Sequence, residues 1–434
     1  MIKVLKFGGT SVGSAGNMKR VAEIVRRQPA RITVLSAMSG TTDALVKIAA
    51  AAADGDTETI ERQLAMLTEK YTACIDGLLA SHREEATERM RSAFDTIRRE
   101  AAAFEEYRSE RIVIAQGELL TSAIFTLYLN ECGMKAVCLH SPDFMVTDSE
   151  EKVDTERIRR ALAAVAADPD TYYVAQGFIC TNARGEIDNL GRGGSDYSAA
   201  LMGAAVDAAE VQIWTDIDGM HNNDPRFVEH THPIRNMSFD EAAELAYFGA
   251  KILHPATIQP CKDHGIPVLL KNTMDPDAPG TTISDRDDDS KSFHAVAAKD
   301  GITVIRIHSA RMLMAYGFLR KVFEIFEQYR TPIDMITTSE VAVSLTVDND
   351  AHIDDIVREL SALGSIEIER NNSIVCVVGR MEHSDAGLAA SVFHSIRNIP
   401  IKMISYGASH RSMAMLIETE YKQRTLQSLN DGLF

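Results

Sequence analysis

Ile2-Lys3-Val4-Leu5-Lys6-Phe7-Gly8-Gly9-Thr10-Ser11-Val12-Gly13 lies at the start of the chain, and its reading decides the fold. A short apolar run reaches Lys6 and passes straight into a Gly-Gly-Thr-Ser turn. Adjacent glycines let backbone N–H groups approach an anion, because no Cβ stands in the way. A lysine beside such a turn adds a mobile point charge suited to phosphate oxygens. Met18, Val21, Ala22 and Val25 then fall on one helical stripe. The helix N-terminus adds the positive end of a dipole. Strand, glycine turn and helix in this order open an α/β domain.

Apolar runs rich in Val and Ile recur at 2–7, 32–37, 172–180, 211–216 and 266–271, separated by helical patterns. That alternation predicts a mostly parallel sheet with helices on both faces. Residues 54–108 are charged and free of proline, and they predict two long helices inserted into this scheme. Residues 272–292 are acidic and loop-like, which suits a domain boundary.

Beyond the boundary lies an internal repeat. Gly317-Phe318-Leu319, Val322-Phe323, Phe326, Pro332-Ile333 and Met335-Ile336 match Gly387-Leu388-Ala389, Val392-Phe393, Ile396, Pro400-Ile401 and Met403-Ile404. Each copy reads strand, helix, strand, strand, helix, the order of a small ferredoxin-like module. Two in tandem predict a sensor attached to a catalytic domain. The second copy leaves little room for a last strand, and residues 293–299 can supply it.

At 434 residues, two or three domains are expected. No apolar run reaches the ~20 residues of a membrane span, and no secretory signal is visible. The six cysteines are scattered, with no CxxC and no zinc spacing, as expected of reduced thiols in a cytoplasm. The formal charge of −17 argues against nucleic acid as a partner. It also means that an anionic substrate needs local cations, which gives weight to lysines and arginines in glycine-rich turns.

Gly191-Arg192-Gly193-Gly194-Ser195-Asp196 is the second such turn, and it opens a helix. Arg192 can hold a carboxylate in a bidentate fork while glycine N–H groups face phosphate, with Ser195 or Asp196 as the expected N-cap. Trp214-Thr215-Asp216 ends a strand, where open α/β sheets bind ligands, and leads into a polar turn through His221 to Arg226. Gly249-Ala250-Lys251-Ile252-Leu253-His254-Pro255 follows a helix, and His254 reads as a packing or capping residue. Ser39-Gly40-Thr41 follows the second strand, and Gln116-Gly117-Glu118 is expected to open a helix after a strand at Ile112–Ala115. No Walker A motif and no protein-kinase HRD loop occur.

Lys6-Phe7-Gly8-Gly9-Thr10-Ser11 and Gly191–Asp196 resemble the opening signature and the substrate loop of the aspartokinases, in the amino-acid kinase family. The likeness extends over essentially the whole chain. It implies an α/β amino-acid kinase fold over 1–292, with the insertion at 54–108, then two ferredoxin-like ACT modules at 301–370 and 371–434, the second completed by 293–299. It implies phosphoryl transfer from ATP, with Mg2+, to the β-carboxylate of L-aspartate. Another small carboxylate or carbamate kinase, or a silent amino-acid sensor, are the rival readings. A fused homoserine dehydrogenase is not expected at this length.

By this resemblance Lys6, Gly8, Gly9, Arg192 and Asp196 are catalytic. Thr41, Glu118, Arg192, Gly193, Gly194 and Ser195 hold aspartate, with Glu118 against its ammonium. Lys6, Gly9, Ser11, Thr215, Asp216, His221, Arg226 and Lys251 hold the nucleotide. His221 stands where the family commonly carries Tyr. No residue is assigned to a metal, because Mg2+ sits mostly among phosphate oxygens and waters. Ile336-Thr337-Thr338-Ser339-Glu340-Val341 resembles the lysine-responsive type. Met312, Phe318, Leu319, Ile333, Asp334, Thr338, Ser339 and Glu340 are the expected effector residues, for L-lysine as allosteric inhibitor. A cytoplasmic homodimer joined through the modules is expected.

Overall fold

The computed structural model describes residues 2–28, 32–168, 170–191, 193–249, 253, 255–286, 292–309, 312, 316–382 and 385–434. The chain divides into two compact units. The first comprises Met1–Met220, Arg235–Phe239 and Leu253–Asp287; the second comprises His221–Ile234, Asp240–Ile252 and Asp288–Phe434.

The first unit begins with β1 (Lys3–Phe7), α1 (Ala15–Arg27), β2 (Ile32–Leu35) and α2 (Thr41–Ala53). The inserted helices are α3 (Thr57–Leu78) and α4 (Arg83–Ala102), followed by α5 (Glu106–Glu131). Then come β3 (Ala136–Cys138), α6 (Thr155–Ala167), β4 (Tyr172–Gln176), β5 (Ile179–Thr181), β6 (Ile187–Asn189), α7 (Gly194–Ala205), β7 (Glu210–Thr215) and β8 (Asn236–Ser238). After α8 (Phe239–Tyr247), most of which belongs to the second unit, follow α9 (Gln259–Asp263), β9 (Val268–Asn272) and β10 (Thr281–Ser284).

Eight strands form one sheet in the order β3-β4-β2-β1-β7-β9-β10-β8. All its pairings are parallel except β9 with β10. Phe7 pairs with both Leu35 and Trp214, and Leu35 with Gln176. The carboxyl ends of β1, β2, β4 and β7 are therefore level, and the loops that follow them leave from one sheet edge. Phe7 and Trp214 stack with ring centroids 5.7 Å apart and are fully buried, anchoring that edge to the core.

Three expectations need correcting. Ile112–Ala115 is not a strand; it lies inside α5. Four apolar residues suit a strand or a buried helix equally, and here Val113, Ile114 and Ala115 are buried on a helix that fills the core. That helix is long and apolar enough to cross a membrane, but 72% of its most apolar window is buried within the protein. Residues 172–180 divide into β4 and β5. The loop 272–292 contains β10, whose Thr and Ile residues pair with β9 on one side and β8 on the other.

The second unit carries a six-stranded antiparallel sheet, order β12-β13-β11-β14-β16-β15. Its elements are β11 (Phe293–His308), α10 (Phe318–Gln328), β12 (Ile336–Thr338), β13 (Ala342–Val347), α11 (Ile353–Leu360) and β14 (Ser365–Gly379). Then follow α12 (Leu388–Ser395), β15 (Met403–Tyr406), β16 (Ser412–Glu418) and α13 (Lys422–Leu433). The two longest strands are each shared. Residues 302–308 of β11 pair with 365–372, while 293–299 pair with 374–379. One core gathers Ile305, Phe318, Val322, Phe326, Leu345 and Ile356; the other gathers Val375, Val392, Met413, Met415 and Leu426.

Candidate active site

Lys6 is the next-to-last residue of β1, and it is 8% exposed. Its ammonium lies 2.6 Å from Asp196 Oδ1, in the first turn of α7. The sequence separates these two residues widely; the parallel register of β1 and β7 and the seating of α7 on the sheet bring them together. A carboxylate in a helix first turn is favoured by the dipole, so Asp196 is a fixed anchor that holds the lysine extended. Gly8 N–H donates to Trp214 C=O at 3.2 Å, tying the turn to the end of β7. At Gly9 a Cβ would come within 2.8 Å of the Ala37 carbonyl oxygen, so only glycine fits between β1 and the loop after β2. Ser39 N–H donates to Gly9 C=O at 3.0 Å. Ser11 is fully buried, with its hydroxyl 2.7 Å from Thr273 Oγ1.

The Gly-rich turn before α7 is capped differently from expectation. Gly193 is the N-cap, at φ 71, with no side-chain cap, and Ser195 and Asp196 lie inside the helix. The left-handed backbone that this N-cap takes suits glycine and strains other residues, so both side chains are released toward the sheet edge. Ser195 Oγ accepts from Ser36 Oγ at 3.1 Å. At Gly194 a Cβ would come within 2.9 Å of the Phe178 ring.

Glu118 projects from the middle of α5 and is 3% exposed. Its Oε1 accepts from Ala37 N–H at 3.1 Å, and its Oε2 is buried with no hydrogen-bond partner among the described residues. Burial pushes its carboxyl up to about 7, partly offset by the Ala37 hydrogen bond. Thr41, the first residue of α2, is buried beside it in a network that runs through Tyr71. The Tyr71 hydroxyl lies 3.4 Å from both Thr41 Oγ1 and Thr121 Oγ1, and Thr121 Oγ1 accepts from Met38 N–H at 3.2 Å. Lys70, one residue earlier, donates to the Ser39 carbonyl. Sequence reasoning missed Lys70, Tyr71 and Thr121. Nothing local distinguishes them from other helix residues, and their part appears only when α3 and α5 close on the loop after β2.

Thr215 ends β7 with its hydroxyl accepting from Ile217 N–H at 3.3 Å, and Asp216 is exposed beyond it. The first unit thus brings together Lys6, Gly8, Gly9, Thr41, Glu118, Gly193–Asp196 and Thr215 at one sheet edge. His221 and Arg226 fall in the second unit. There His221 Nδ1 lies 3.0 Å from Thr231 Oγ1, and Arg226 forks onto Asp224 at 2.7 Å. Arg192, Lys251 and His254 lie outside the described residues.

A profile of the amino acid kinase family matches residues 1–272, and an ACT domain profile matches 375–433. The chain is 33% identical to the lysine-sensitive aspartokinase 3 of Escherichia coli, over 100% of this chain and 99% of that one. It belongs to the aspartokinases. Two solved structures agree with this aspartokinase assignment along the whole chain. The E. coli aspartokinase III complex with aspartate and ADP (R-state) gives a TM-score of 0.86 at 33% identity, covering 100% of each chain. The complex with lysine and aspartate (T-state) gives 0.83 at 33% identity, covering 100% of this chain and 99% of that one.

The expected effector residues of this aspartokinase lie in the first repeat copy. Phe318 belongs to its core, with Met312 and Ile333 packed against that core; Leu319, Thr338, Ser339 and Glu340 are exposed. Asp334 is different. Its side chain is 2% exposed, and its Oδ1 accepts from Lys299 Nζ at 2.8 Å and from the Tyr247 hydroxyl at 2.9 Å. Among the described residues no three His, Cys, Asp or Glu side chains cluster as a metal site.

Proposed function

We propose that this aspartokinase transfers the γ-phosphoryl group of ATP to the β-carboxylate of L-aspartate, giving 4-phospho-L-aspartate. That is the entry step to lysine, threonine and methionine. The observation that carries the reading is the pairing, at one sheet edge, of a cation for phosphate with a buried carboxyl for an amino acid. Lys6 is held by Asp196 beside a glycine turn, and Glu118 keeps one oxygen free among the described residues.

In this reading Lys6 stabilises charge on the transferring phosphoryl group. The Gly8-Gly9 and Gly193-Gly194 backbones receive phosphate oxygens, and Thr215 and Asp216 flank the nucleotide. Arg192 clamps a substrate carboxylate, and Glu118 with Thr41 receives the ammonium end. The β-carboxylate is already ionised at neutral pH, so it attacks without a general base. Catalysis is then positioning plus charge stabilisation through a loose transition state. A coupled assay of ADP release with aspartate, glutamate and carbamate separates this activity from other carboxylate and carbamate kinases. ADP release with aspartate is expected, and its absence in folded protein overturns the reading.

L-Lysine is the proposed inhibitor, acting at Asp334 of the first module, and the protein is proposed to work as a cytoplasmic homodimer. The second copy carries Lys402 where the first carries Asp334, so one module is suited to a basic amino acid. Asp334→Ala is expected to retain aspartate turnover and lose inhibition by lysine. The loss should be about 5- to 150-fold in inhibitor concentration, the usual range of a coupling free energy. Titration with lysine, threonine and methionine at subsaturating aspartate measures it, and inhibition by threonine alone would sink the lysine assignment.

A further inference from the structure

The two repeat copies carry the same ionic trio with the lysine and one of its two acids exchanged in position. In the first, the ammonium of Lys299 lies 2.8 Å from Asp334 Oδ1 and 2.8 Å from Asp348 Oδ2. In the second, the ammonium of Lys402 contacts Glu369 and lies 3.0 Å from Glu418 Oε1. The positions correspond. Asp334 N–H donates to Thr346 C=O and Lys402 N–H donates to Leu416 C=O, in each case two residues before an acid: Asp348 just past the end of β13, and Glu418 as the last residue of β16. Lys299 and Glu369 then occupy matching places on the two long shared strands, β11 and β14. Each copy therefore holds one lysine between two carboxylates, but the lysine comes from opposite members of the set.

This exchange has a consequence for a free amino acid carrying an ammonium. In the second copy the position that could receive it is itself a lysine. In the first copy an acid is present, buried, and already taken by a lysine of the same chain. Burying an ammonium against Asp334 is favourable once; two full cations on one buried carboxylate repel. Resting on the lysine-effector reading above, we propose that Lys299 is a tethered competitor of the effector. Free lysine takes Asp334 from it, and Lys299 falls back on Asp348, whose side chain is 35% exposed and still wet.

The same cluster is placed to report the exchange. The Lys299 ammonium lies 4.7 Å from the centre of the Tyr247 ring, whose hydroxyl donates to Asp334. Two residues on, Gly249 sits so close to the next strand that a Cβ would come within 2.2 Å of the Ala298 carbonyl oxygen. Gly249 thus rests on the backbone beside Lys299. Moving Lys299 off Asp334 changes the cation that lies over the Tyr247 ring.

Isothermal titration of the full-length protein with L-lysine tests this, with norleucine, which lacks the side-chain ammonium, as control. If Lys299 occupies Asp334 about nine times in ten, Lys299→Met binds lysine about tenfold more tightly than the unsubstituted protein. Asp348→Asn removes the fallback position and binds several-fold more weakly. Unchanged or weaker binding by Lys299→Met overturns the proposal. If that variant fails to fold, Asp348→Asn decides, and unchanged or tighter binding there overturns it. No binding of lysine to the unsubstituted protein overturns the effector reading itself, and the competition with it.

Discussion

Lys6→Ala is expected to lower kcat by roughly 10²–10⁴, the scale of losing a preorganised contact to the transition state. The lysine is nearly buried, and it is fixed from behind by Asp196 at 2.6 Å. Such a charge needs no reorganisation as the phosphoryl group moves, so its loss should fall on kcat more than on the KM for ATP. The substitution also strands Asp196, whose side chain is 13% exposed. The measurement therefore compares kcat in protein shown by circular dichroism to be folded, with Lys6→Ala/Asp196→Asn beside it to relieve the stranded charge. An unchanged kcat in either folded variant would remove Lys6 from the mechanism.

Glu118→Gln should produce the second-largest effect, seen in KM for aspartate. Removing one partner of a buried charge pair costs about 2–5 kcal/mol, so KM should rise roughly 30-fold or more. The pH dependence gives a signature that a structural role would not. Burial holds the carboxyl at about 7 in the free protein, and an ammonium pairs with its ionised form. KM for aspartate should fall as pH rises from about 6 to 8 in the unsubstituted enzyme and stay flat in Glu118→Gln.

Stability runs the other way. The folded value lies above the ordinary glutamate value of 4.5, so the folded state binds the extra proton between about 4.5 and 7. The unliganded protein is then favoured below that window and loses on the order of 3 kcal/mol as pH rises through it. At pH 8 without ligand, Glu118→Gln should therefore melt at a higher temperature than the unsubstituted protein. A lower melting temperature there would mean that Glu118 is held by contacts rather than strained by burial.

Much of this arrangement is legible in the sequence where one physical signal acts alone. Val- and Ile-rich runs bounded by glycine gave β1, β2, β7 and β9 within a residue or two, because buried parallel strands are apolar on both faces. The repeat was legible because two copies of one fold need the same apolar spacing. The signal failed where two structures satisfy one pattern, as at Ile112–Ala115. It failed at Gly193, where backbone conformation rather than a side chain caps the helix. Long-range partners were invisible throughout. Asp334 reads as an open carboxylate in sequence, yet Lys299 and Tyr247 take it up in the fold. The grouping of 221–234 and 240–252 with the C-terminal strands was equally hidden, since no composition shift marks those segments.

The interleaving of the two modules on β11 and β14 bears on how the chain is made and how it can be cut. Residues 293–299 leave the ribosome early, but their partner strand, 374–379, comes some eighty residues later. Until then an apolar strand waits with a bare edge, the situation in which chains slip register or pair with a neighbour. Such long-range pairing also folds slowly. A chain stopped after the first module would keep that edge for good. Truncation should therefore not yield a kinase with half of its regulation; it should yield an aggregating one. The pair of modules is inherited, or lost, as a single piece.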